Sequence, residues 1–81
     1  MDIELSDEAL AEYDRIERDE PDRHALLVDD LTMLAATAPV NIERWTSIAG
    51  IDYVLGPTGR VRYWVVIEGE RLVVEYFDLD P

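Results

Sequence analysis

The chain has 81 residues, 19 acidic and seven basic, for a formal net charge of −12; all seven cations are arginines, and cysteine is absent. That charge disfavours generic binding to phosphate backbones or anionic lipid, and without cysteine no disulfide or thiolate metal site can form. With 48% hydrophobic residues, in periodic spacing, the chain is also not an acidic disordered tail.

A chain of this length makes one domain, residues 1–81, which buries only roughly 60% of its unfolded surface. No apolar run, that of residues 64–67 included, exceeds five residues, far too short to cross a bilayer. The first residues carry neither a basic nor an apolar signal region, so the expectation is a soluble, cytoplasmic protein. Residues 1–40 hold 12 acids and three arginines, net −9, whereas residues 41–81 hold seven acids and four arginines, net −3. The acidity fits plain solubility, a salt-adapted proteome or a specific acidic function, and composition leaves all three open.

Residues 1–5 alternate in polarity, with Ile3 and Leu5 apolar, the pattern of a short edge strand. Ser6 is placed to cap a helix whose first turn carries Asp7 and Glu8. Leu5 and Leu10 are spaced as a hydrophobic staple. This helix is expected to bury Ala9, Leu10, Tyr13 and Ile16 and to end near Asp19, because Pro21 cannot continue the hydrogen-bond ladder. Pro21 suits the first turn of a second helix, which Pro39 stops. Its apolar stripe is His24, Leu27, Val28, Leu31, Leu34, Ala35 and Ala38, spaced three or four apart. The two helices therefore form a hairpin or a bent pair.

Residues 40–50 read as a connector anchored by Trp45 and Ile48. The period then changes to two. Ile51–Leu55 is a strand, Gly56-Pro57-Thr58-Gly59 a turn, and residues 60–67 and 71–79 two further strands joined across Glu68-Gly69-Glu70. With Glu68-Gly69 as a two-residue turn, Val61 faces Tyr76, Tyr63 faces Val74 and Val65 faces Leu72, giving an apolar face for the helices. The other face pairs Arg62 with Glu75, Trp64 with Val73 and Val66 with Arg71, with Phe77 across from Arg60. A shift of the turn by one residue on each side keeps the faces and changes the partners. The expected fold is α+β: a strand, a helical hairpin and a three-stranded antiparallel meander, with the helices packed on one sheet face.

This order of elements resembles the RelE/ParE superfamily of toxins from toxin–antitoxin systems. The local match is Gly59-Arg60-Val61-Arg62-Tyr63-Trp64-Val65-Val66-Ile67, which is similar to that family's strand entered from a glycine turn and carrying an arginine. Arg62 takes the place of the characteristic strand arginine. Residues 6–11 similarly fit the family's way of opening its first helix. The resemblance implies a RelE/ParE-like domain that presents its sheet face to an antitoxin. Were the chain also a ribosome-dependent messenger-RNA endonuclease, Arg62 would stabilise the scissile phosphate, Arg60 would position it, and Tyr53 or Glu75 would move the proton. The sequence departs from that activity. RNA-cutting members tend to be basic, while this chain ends Phe77-Asp78-Leu79-Asp80-Pro81, and its single histidine, His24, lies on a helix.

Each candidate also has a plainer reading. Arg62 can simply form a cross-strand ion pair with Glu75, worth about 0.2–1 kcal/mol. Arg60, Arg62 and Arg71, with Trp64 and Phe77 beside them, can receive a protein partner, a second copy of the chain, or nucleic acid by phosphate contact and base stacking, or the apolar residues Trp64, Val66, Val73 and Phe77 can be covered by the chain's own connector; the net charge disfavours nucleic acid. His24 is read as a boundary residue. With one histidine and no cysteine, no metal ligand set or cofactor is expected. Asp29-Asp30 and Asp19-Glu20-Asp22 read as solvated faces. Two functions follow: a toxin-type domain working through its sheet face, or a non-catalytic acidic module whose helical hairpin (Glu8, Glu12, Asp19, Asp22, Asp29, Asp30) contacts a basic protein as a mimic of DNA charge. A small homodimer seamed by Trp64 and Phe77 is a third.

Overall fold

The computed structural model of the chain describes residues 2–37, 43–48, 50–69 and 71–79. Strand β1 (Asp2–Leu5) leads into helices α1 (Asp7–Asp19) and α2 (Pro21–Thr37), followed by β2 (Glu43–Ile48), β3 (Ile51–Leu55), β4 (Val61–Glu68) and β5 (Arg71–Leu79). They make one five-stranded mixed sheet in the order β1-β5-β4-β3-β2, with β1 parallel to β5 and the other pairs antiparallel. The protein is thus a small α+β domain. The meander has four strands rather than three: residues 43–48, read as connector from the sequence, pair with β3. Trp45 and Ile48, expected as anchors, have side chains outside the described set, as does Ala38.

Ser6 starts α1 as its pattern demands. Its Oγ accepts a bond from the Ala9 N–H at 3.1 Å, and its hydroxyl donates to the Glu75 carbonyl at 2.9 Å. The cap therefore also ties the helix to β5. Pro21 opens α2 with only Glu20 between it and the end of α1, and the Glu20 N–H closes the last turn of α1 on the Ile16 carbonyl at 2.8 Å.

The core lies between the helices and one sheet face. Ala9 and Ile16 of α1 and Leu27 and Leu34 of α2 meet Val54, Val61, Tyr63, Val65, Leu72, Val74, Phe77 and Leu79. Two expected core residues are outside it. Leu10 is 46% exposed and Val28 36%, because the sheet of so small a domain covers only the central line of each helical stripe.

The β4–β5 register corrects the expected one. Glu68 pairs with Arg71, Ile67 with Leu72, Val66 with Val73 and Val65 with Val74. Gly69, at a left-handed φ of 61°, is the first loop residue, not the second. A β-bulge then inserts Glu75 between the pairs Val65–Val74 and Trp64–Tyr76. Beyond it Tyr63 faces Phe77, Arg62 faces Asp78 and Val61 faces Leu79. One extra residue exchanges the two faces of the strand. Phe77 enters the core, 3% exposed, and Tyr76 leaves it, 47% exposed. The bulge falls where β1 ends and Ser6 takes over the bonding, its N–H reaching the Val74 carbonyl at 2.9 Å.

Candidate functional site

The strand alternation leaves Tyr53, Leu55, Arg62, Trp64, Val66, Val73, Tyr76 and Asp78 on the sheet face opposite the helices. At its centre three rings line up across three strands. Tyr53 of β3 lies opposite Trp64 of β4, which lies opposite Tyr76 of β5. The ring centroids are 4.9 Å apart for Tyr53–Trp64 and 5.2 Å for Trp64–Tyr76, tilted at 57° and 55°. That is a favourable aromatic geometry, worth about 0.5–1.5 kcal/mol per pair beyond burial. Tyr76 joins the row only because of the Glu75 bulge.

The arginines of this face sit beside carboxylates. Arg62 Nη2 donates to Asp78 Oδ2 at 3.3 Å, with the two side chains 33% and 50% exposed. Arg71, at the far end of the hairpin, lies 3.6 Å from both Glu4 and Glu68. Arg60 is exposed in the turn before β4. Pairs this exposed contribute about 0–1 kcal/mol each, but they do offset the positive potential that a phosphate would need.

Of the sequence candidates, Arg62, Trp64 and Tyr53 share this face. Glu75 does not sit opposite Arg62; its backbone is taken up in the bulge, so the expected Arg62–Glu75 pair is replaced by Arg62–Asp78. Phe77 is withdrawn to the core against Tyr63, which removes it from any seam or partner face. Among the described residues no three His, Asp or Glu side chains converge as a metal site. His24 packs edge-on against Tyr13 at 4.8 Å, with Nε2 3.4 Å from Glu17. An apolar groove of about 400 Å³ opens between β1 and the helices, lined by Ile3, Tyr13, Val28, Leu31, Thr32 and Ala35.

The second polar constellation lies on the opposite side of the sheet and was not foreseen. Asp30, expected on a solvated face, is fully buried. Its Oδ2 accepts from the Thr58 N–H at 3.0 Å and from the Thr58 hydroxyl, and its Oδ1 accepts from the Tyr63 hydroxyl at 2.5 Å. One α2 carboxylate thus clamps the β3–β4 turn and β4 together. Gly56 lets it in: a Cβ there would lie 2.7 Å from Asp30 Cγ. Burial, then the bond to Asp30, holds the Tyr63 hydroxyl far above the usual tyrosine range, so it stays a donor. The signal was present in the sequence. Position 30 is three residues past Leu27 and four before Leu34, the flank of the buried stripe, and a Gly-Pro-Thr-Gly turn supplies donors to match.

No family model, curated protein or solved structure matches this chain.

Proposed function

We propose that the protein is a toxin-type domain of the RelE/ParE kind that acts by binding another protein through its helix-free sheet face, without cleaving RNA. The observation that carries this reading is the Tyr53–Trp64–Tyr76 row, an aromatic surface on the side of the sheet that the helices leave bare. Aromatic residues clustered at the middle of a patch with a polar rim are what protein interfaces use as energetic anchors. The order of elements and the Gly59–Ile67 segment support the toxin-type fold, and the β1-β5-β4-β3-β2 sheet is compatible with it. Catalysis is set aside because Arg62 is matched by Asp78, Arg71 by Glu4 and Glu68, and Glu75 lies away from Arg62. A phosphate approaching Arg62 would have to displace a carboxylate inside a domain of charge −12.

Expression in the native cell, with capture of bound protein, tests both halves. Wild type should retain a partner that Trp64→Ala loses at equal soluble level. Growth should continue when the protein is expressed alone. Growth arrest relieved by Arg62→Ala would restore the nuclease reading.

A further inference from the structure

The face proposed above as a docking surface has a definite charge. Among the described side chains, Asp2, Glu4, Glu68 and Asp78 share it with Arg62 and Arg71, four carboxylates against two guanidiniums, a net of −2 before Arg60 in the turn is counted. The domain behind it carries the rest of a −12 charge. Its centre is three aromatic rings, one of them, Tyr76, 47% exposed. Asp78 follows Tyr76 by two residues on the same strand face. Aromatic rings bordered by carboxylates are the chemistry that holds a guanidinium or ammonium group: the ring face attracts the cation within about 6 Å of its centroid, and the acids take its N–H bonds. An acidic occupant would meet more carboxylates than guanidiniums on this face, although Arg15 and Arg23 line the depression beside Tyr76 and Asp78.

We infer that the partner presented to the Tyr53–Trp64–Tyr76 row is a basic protein segment, with an arginine side chain laid across the rings and apolar residues beside it against Val66, Val73 and Leu55. This rests on the sheet-face reading of function and adds the sign of the partner. Arginine fits better than lysine, because its planar group stacks on an indole while still donating to Asp78. The long-range field of the domain speeds the encounter, and the aromatic row sets the residence time.

The test uses the whole chain and a short synthetic peptide of alternating arginine and leucine, with lysine and glutamate analogues. Binding is read by calorimetry and by the indole and Tyr76 ring resonances. The arginine peptide should bind saturably and shift those resonances. Trp64→Ala should weaken it roughly 10-fold and Tyr76→Ala about 3-fold. Tyr76→Ala serves if Trp64→Ala unfolds, since its side chain is half exposed. The lysine analogue should bind several-fold more weakly, and salt should weaken all binding. Glu8→Gln, on α1, should change little. Equal binding of the glutamate analogue overturns the basic-partner inference, as does dimerisation lost in Trp64→Ala without peptide binding, or tighter binding of an RNA oligonucleotide than of the arginine peptide. If the peptide fails while Trp64→Ala still loses a captured native partner, the face stands and the sign of its occupant is wrong. If Glu8→Gln weakens the peptide and Trp64→Ala does not, the sheet-face reading falls with it.

Discussion

The two faces of β4 are built from alternate residues of one strand, yet they solve opposite problems. Toward the helices, Val61, Tyr63 and Val65 are fully buried, and the one polar atom among their side chains, the Tyr63 hydroxyl, is bonded to Asp30. Toward solvent, Arg62, Trp64 and Val66 are half buried, with Arg62 matched to an exposed Asp78 and Trp64 set between two tyrosines whose rings tilt against it. The inner face carries a buried carboxylate that accepts three hydrogen bonds, which favours one turn geometry over others. The outer face carries aromatic area that nothing among the described elements covers. The first arrangement is what a small core needs to be unique; the second is what a contact surface needs to be available.

Breaking the inner network should have the largest effect on stability. Asp30→Ala leaves the buried Tyr63 hydroxyl without an acceptor and frees the part-buried Thr58 N–H, and should cost about 3 kcal/mol, read from urea denaturation. A loss below about 1 kcal/mol would mean that water replaces the carboxylate and that the two faces differ less than their burial indicates. Gly56→Ala should follow at about 2 kcal/mol, since the added methyl meets the Asp30 carboxyl and packed surroundings yield only in part.

Tyr63→Phe should cost about 1–2 kcal/mol, and it sharpens the contrast through pH. The Tyr63 hydroxyl ionises at higher pH folded than unfolded. Its contribution is complete below the ordinary tyrosine pKa of about 10 and is lost as pH rises beyond it, because the unfolded chain then gives up the proton first. Alkaline denaturation midpoints should therefore fall above pH about 10 in the wild type more than in Tyr63→Phe. Equal slopes would refute the assignment.

On the outer face stability should respond less and binding more. Trp64→Ala should lower stability by about 1–1.5 kcal/mol, well under the 3–5 typical of a core tryptophan, while abolishing partner capture. Arg62→Ala should be smallest, below about 1 kcal/mol, with the difference fading as salt is raised. A larger Arg62 effect would show that this face contributes to the fold as strongly as the inner one.

Much of this contrast was legible in the sequence. The period-two spacing of residues 61–66 placed Val61, Tyr63 and Val65 on one side and Arg62, Trp64 and Val66 on the other. Ser6, Pro21 and the helical stripes located both helices. The order of elements was sufficient for an α+β domain with a first strand at the edge. What failed did so for identifiable reasons. Residues 43–48 were read as connector, because their short mixed pattern gains strand character only from pairing with β3. Tyr76 and Phe77 were exchanged, because nothing in their spacing announces the extra residue at Glu75. Asp30 was sent to solvent, because a charged residue beside a second aspartate ordinarily belongs there.

Sequence by itself therefore determined what local chemistry decides: where helices begin and stop, which strand residues share a face, and a net charge that disfavours phosphate. Tertiary structure alone decided what depends on residues far apart in the chain. Ser6 meets the carbonyl of Glu75 across 69 positions, at the bulge that brings Tyr76 out beside Trp64. Asp30 meets Thr58 across 28, and that contact turns a surface acid into the clamp of the β3–β4 turn. Periodicity reports which side a residue faces; only the packed chain fixes what lies opposite it.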